Sequence, residues 1–163
     1  MSFSTDDAWT APLRGIFETA RQRPPLHENR YYGPYTTLLT YCFADAQGYR
    51  FMLGAPQAPP SPNPPFSHQS VNFVVYLVDL DAHLMHPVLI MEIKDDSIIN
   101  TPERCLDADT QIRQRFHVIT PACYLPRLWG LSLLGTPLRV YVADVNSRQV
   151  GMLIFFLKKG LRQ

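Results

Sequence analysis

Two apolar runs, Val71 to Val78 and Val88 to Met91, stand out along the chain, and the second passes straight into Glu92, Ile93 and Lys94. Runs rich in Val and Ile are what strands covered on both faces require, so both are read as central strands. Asp81, Ala82 and His83 interrupt them, which predicts a hairpin of Val71 to Leu80 against Pro87 to Lys94. Downstream the period changes. Cys105, Ala108, Ile112, Phe116 and Ile119 recur at spacings of three and four, with Thr101 as N-cap, Pro102 at the first position and Pro121 as a stop. One helix is therefore predicted from Pro102 to Thr120.

Before the hairpin, Thr10 and Pro12 start a helix whose apolar stripe is Leu13, Ile16, Phe17 and Ala20, and Gly33 with Pro34 starts a second through Leu38, Leu39, Cys42 and Phe43. Tyr49 to Leu53 reads as a short strand. Ala55 to Pro65 then holds six prolines in eleven residues, so residues 55–66 are expected as an extended surface loop. After the long helix, Leu128 to Leu133, Leu138 to Ala143 and Val150 to Leu157 read as strands. Together these predict one α/β (α+β) domain over residues 1–163, with a central mixed sheet of about five strands flanked by helices.

Composition narrows the classes. At 163 residues with 46% hydrophobic residues the chain has enough material for one packed core. Its apolar runs fall short of the roughly 18 residues a membrane helix needs, and Met1 to Asp7 lacks the basic and apolar regions of a leader, so an intracellular protein of cytoplasm or nucleus is expected, with no membrane partner. Cys42, Cys105 and Cys123 are an odd number at wide spacing, which argues for buried thiols over a disulfide framework or a zinc site. The five histidines show no metal spacing. Trp9 and Trp129 are expected in the core. The net charge of +1 divides into −3 over residues 1–93 and +4 over residues 94–163, so a basic second half is available to phosphate. Lys158 to Gln163, just past an apolar strand, read as a basic tail or as the place where a longer chain was cut.

Glu92 and Lys94 carry the candidate chemistry, because burying them is costly unless they are paired or hold a metal. Strand alternation puts both on one face with Ile93 on the other. A hairpin centred on Ala82 sets Asn72 opposite Glu92 and leaves Asp79 to serve the turn. On the long helix the 100° step puts Arg104, Gln111 and Arg115 along one margin of the sheet-facing side. Magnesium takes oxygen ligands, which the Glu92 carboxylate, the Asn72 amide and a backbone oxygen near Ile93 supply, and Lys94 is placed to orient water and offset phosphoryl charge.

A hairpin whose first strand opens with an acid or amide and whose second ends Glu-x-Lys, followed by a helix carrying Gln, resembles the core of the PD-(D/E)XK nuclease superfamily. The resemblance runs from Asn72 to Arg115. It implies a restriction-endonuclease-like αβββαβ core and a Mg2+ (or Mn2+) dependent nuclease hydrolysing phosphodiester bonds of DNA or RNA. Glu92, Lys94 and Gln111 would be catalytic, Asn72, Glu92 and Ile93 would hold the metal, and Arg104 and Arg115 would face substrate. Glu28 is the candidate for the family's upstream helix acid. The family has Asp where this chain has Asn72, so metal affinity is expected to be lower. The alternative is a catalytically inactive nuclease-fold protein that binds nucleic acid or a protein partner. The stretches Tyr31 to Phe43 and Leu125 to Gly135 also resemble proteins of mushroom-forming fungi.

Overall fold

A computed structural model describes residues 10–22, 28–43, 50–57, 71–94, 100–134 and 138–153. Helices α1 (Ala11–Gln22) and α2 (Tyr32–Phe43), joined through a 3-10 turn at Glu28–Tyr31, precede strands β1 (Phe51–Gln57), β2 (Val71–Asp79) and β3 (Leu84–Lys94). Helix α3 (Pro102–Ile119) leads to β4 (Arg127–Leu134), β5 (Leu138–Asp144) and β6 (Gln149–Leu153). The sheet thus has six described strands, one more than expected, in spatial order β1-β2-β3-β4-β5-β6. All neighbours are antiparallel except β3 and β4, which run parallel with α3 as their crossover.

Alternation along the strands divides the core in two. On one face Phe73, Val75, Leu89, Met91, Ile93 and Leu133 pack against Ala20, Tyr31, Tyr35 and Leu39 of the N-terminal elements. On the other, Val74, Ile90, Leu128, Tyr141 and Ala143 pack against Ile112 and Phe116 of α3. The Phe116 ring lies so close over β4 that a Cβ at Gly130 would meet it at 2.5 Å, so position 130 requires a residue without a side chain.

The hairpin register is built differently from the expectation while giving the expected pair. Leu80 to His83 form the turn, with the backbone N–H groups of Asp81 and Ala82 donating to Asp79 Oδ1 at 3.1 and 3.0 Å, so Asp79 serves the turn. Near the turn Tyr76 pairs with Pro87; farther out Val75 pairs with Leu89, which leaves Val88 as an extra residue on β3. A bulge beside a proline that lacks an N–H donor removes little from the ladder. Beyond it Asn72 pairs with Glu92.

Several expectations are corrected. The proline-rich segment starts as strand: β1 runs to Gln57, and its pairing with β2 is irregular between Gly54 and Gln57, where Pro56 stands. An edge strand tolerates proline at a break in pairing, whereas the reading from proline content considered only a loop. Residues 58–66 of that segment, Trp9, the 154–157 part of the last strand and Lys158 to Gln163 lie outside the described residues. Thr101 occupies the N-cap of α3 but makes no side-chain cap hydrogen bond, leaving Pro102 and Glu103 as the start signals that act. Ile16 is 38% and Trp129 39% exposed; neither is core. Trp129 alternates with Leu128 and Gly130, which take the α3 face, so its ring is turned to the opposite side. The cysteines are free, but only Cys123 is buried.

Candidate functional site

β3 delivers its two charges to the α3 face. Glu92 and Lys94 are 1% and 4% exposed, and the ammonium Nζ lies 3.5 Å from Glu92 Oε1. Ile93, fully buried, points to the other face, so only its main-chain oxygen is a candidate ligand, and β3 is paired on both sides there. Burial of a carboxylate and an ammonium at the end of a central strand is stable only as a compensated pair, which their spacing of two residues provides.

α3 brings the opposing groups. Arg115, expected at the helix margin, is buried at 8% exposure. Desolvation lowers the Arg115 pKa, and the Glu92 charge opposes the shift. The two side chains share a water-sized space of about 10 Å³ otherwise walled by Val74, Ile90, Met91, Ile112 and Ile119. Gln111, one turn earlier, is half-buried, and its Oε1 is enclosed without a hydrogen-bond partner among the described residues. Arg104 is exposed in the first turns of α3 and is not gathered into this cluster. Asn72 stands in register with Glu92, its backbone described and its side chain not. Glu28 belongs to the 3-10 turn whose Tyr31 packs on the other face of the sheet.

Two features were missed in the sequence. Ser132 is the β4 partner of Glu92 and is 1% exposed, so the polar row at this level of the sheet runs from position 72 through Glu92 to Ser132 and on to Arg139 of β5. A single Ser inside the apolar run Leu131 to Leu134 was the available signal. The second is a network on the far margin of α3. Asp109 accepts from the Tyr141 hydroxyl at 2.7 Å and from Arg113 Nε at 2.8 Å, and Arg113 also donates to the Val150 carbonyl at 3.2 Å. The i,i+4 spacing of Asp109 and Arg113 was its local signal, while Tyr141 and Val150 join it from two strands.

Burial pushes the Asp109 carboxyl up, but hydrogen bonds from Arg113 and Tyr141 and nearby arginine charges outweigh it, leaving the group below its usual range. A depressed folded-state pKa contributes stability above the unfolded value of about 3.9, lost as pH falls through the folded value. The gap in melting temperature between the parent and Asp109→Asn should therefore be full at neutral pH and narrow below about pH 4. A gap constant from pH 7 to pH 2.5 would contradict this assignment.

The donor set limits what metal fits. Among the described residues no three His, Cys, Asp or Glu side chains converge, and the one buried carboxylate is that of Glu92. That does not make a protein-only cage. Magnesium commonly takes one or two carboxylates and completes its shell with water and phosphate oxygens, so Glu92 alone would be the smallest protein share of such a site.

The fold and site thus define an α+β domain with a mixed six-stranded sheet and a buried charged cluster between sheet and helix. Comparison with models of known protein families, with curated proteins and with solved structures found no match. No described helix is long and apolar enough to cross a membrane.

Proposed function

We propose that the chain carries a PD-(D/E)XK-type phosphodiester hydrolase site, with Glu92 and Lys94 from β3 and Gln111 and Arg115 from α3. The observation that carries the reading is the buried Glu92–Lys94 pair on a central strand, facing a helix that adds Gln111 and Arg115. The strand order supports it, since three antiparallel strands, a crossover helix and a fourth strand parallel to the third are compatible with the αβββαβ layout the resemblance implies. In this reading Lys94 holds the attacking water and offsets charge on the phosphoryl oxygens, Gln111 orients the same water, and Arg115 and Arg104 attend the phosphate backbone. Glu92, with position 72 and the Ile93 carbonyl, would hold magnesium or manganese, which when bound polarises the phosphoryl group and activates water. Water attacks phosphorus in line, and the opposite P–O bond breaks.

One observation favours a second reading. Glu92, Lys94 and Arg115 are each less than a tenth exposed and the space beside Glu92 is water-sized, too small for a phosphodiester in this conformation. A nuclease-fold protein that binds nucleic acid or a protein partner without cutting accounts for that closure. Purified protein with single- and double-stranded DNA and RNA, with magnesium, manganese or EDTA, separates the two. Metal-dependent cleavage lost in Glu92→Gln supports the hydrolase; retention of nucleic acid on a column without cleavage supports the second reading, and cleavage unchanged in Glu92→Gln removes the site assignment.

A further inference from the structure

The Asp109 network lies outside the proposed site, yet it touches the element that carries half of it. Between its two margins α3 rests on the sheet through a narrow apolar ridge of Ala108, Ile112 and Phe116, with the Phe116 ring over Gly130. Apolar contact of this kind is non-directional and fixes separation better than it fixes rotation about the helix axis. One margin of the helix carries Arg115, which lines the small space beside Glu92, and Gln111 one turn before it. The opposite margin presents Asp109, whose two oxygens receive different donors: Oδ1 from Tyr141 on β5 and Oδ2 from Arg113, which also reaches Val150 on β6. Tyr141 is 0% exposed and its ring lies 6.5 Å from that of Phe116, so the donor is itself held by packing.

We propose that Asp109 is a positioning residue: its bond to the Tyr141 hydroxyl sets the rotation of α3 and thereby the placement of Arg115 beside Glu92 and of Gln111 on the same margin. The proposal rests on the hydrolase reading for its catalytic consequence, though not for its geometric one. Side-chain ends lie about 5–6 Å from a helix axis, so a rotation of roughly 10° displaces them by on the order of 1 Å. A displacement of that size is enough to cost catalysis and too small to unfold the domain.

Tyr141→Phe deletes the tie with little change of volume, and Asp109→Asn weakens it, leaving one neutral oxygen where two charged ones received Tyr141 and Arg113. Asp144→Asn is the control, because Asp144 accepts from the Ser147 N–H and hydroxyl within the β5–β6 turn. The readout independent of activity is the Nε–Hε cross-peak of Arg115 in a nitrogen–proton correlation spectrum. It should move or broaden in both test variants and stay in place in the control. If the parent cleaves nucleic acid, kcat should fall by about 10- to 100-fold in both variants with KM little changed. An unmoved Arg115 cross-peak in a folded Tyr141→Phe protein overturns the proposal, whatever happens to its melting temperature. Should Asp109→Asn fail to fold, Tyr141→Phe decides alone, since it deletes one hydroxyl from a ring that stays packed. Absence of cleavage in the parent counts against the hydrolase reading only, and the cross-peak still decides the positioning role.

Discussion

Glu92→Ala is expected to be the most damaging single substitution in the chain, because it removes the carboxylate and leaves Lys94 and Arg115 buried beside an apolar wall. Breaking a buried pair from one side costs about 3–5 kcal/mol. For a domain of this size that corresponds to roughly 6–20 °C in melting temperature. Lys94→Met should cost less, about 1–3 kcal/mol, since Glu92 then still faces the Arg115 guanidinium and the methionine fills the space of the lysine stem. Both variants should also lose any magnesium-dependent cleavage. The burial of Glu92 and Lys94 is why Glu92→Gln, which keeps the shape, serves the functional test. Thermal melts of the two variants check the order of effects. A Lys94→Met protein less stable than Glu92→Ala would contradict the charge arrangement described for the site.

Asn72→Asp should act in the opposite direction once magnesium is supplied. Position 72 is the register partner of Glu92, so the substitution sets a second carboxylate next to the first at nearly constant volume. Without metal two close carboxylates repel, and the variant should melt below the parent. With metal at ten times its dissociation constant, binding to the folded state alone returns about 1.4 kcal/mol. The expected result is a melting temperature that rises with millimolar magnesium in Asn72→Asp and much less in the parent, together with a gain in cleavage. If the variant shows neither magnesium-dependent stabilisation nor cleavage, the inactive, binding reading takes precedence.

The sequence was most legible where one local rule acted alone. The β2 and β3 runs, the α3 period and the Asn72–Glu92 pairing follow from strand burial, helical spacing and hairpin register, and the structure places all three accordingly. The way that pairing arises was not legible, because the bulge at Val88 compensates a turn one residue different from the one assumed. Burial of Arg115 was missed for a related reason. Helical spacing gives an angle, not a depth, and Arg115 lies deeper than the margin its angle implies, lining the same small space as Glu92. Ser132 meets Glu92, Arg139 meets Ser132 and Asp109 meets Tyr141 only after α3 has crossed and β4 and β5 have paired, so no window of sequence contains those relations. β1 was legible as a strand up to Leu53, but an edge position with broken pairing, which lets Pro56 enter it, is a property of the finished sheet.

The parallel pairing of β3 with β4 also bears on the order in which the chain can fold. The β2–β3 hairpin closes a turn of Leu80 to His83, whereas joining Leu89 to Trp129 closes the roughly 30 residues between Lys94 and Arg127. At about 0.6 kcal/mol for each doubling of loop length, that closure costs roughly 2 kcal/mol more in chain entropy than the hairpin does. Non-local pairing of this kind is slow to nucleate. The side of β3 that carries Glu92 and Lys94 therefore stays in water through the early steps, and the two charges are desolvated only when α3 docks and delivers Arg115. The most expensive burial in the molecule thus falls at the step that also supplies its compensation.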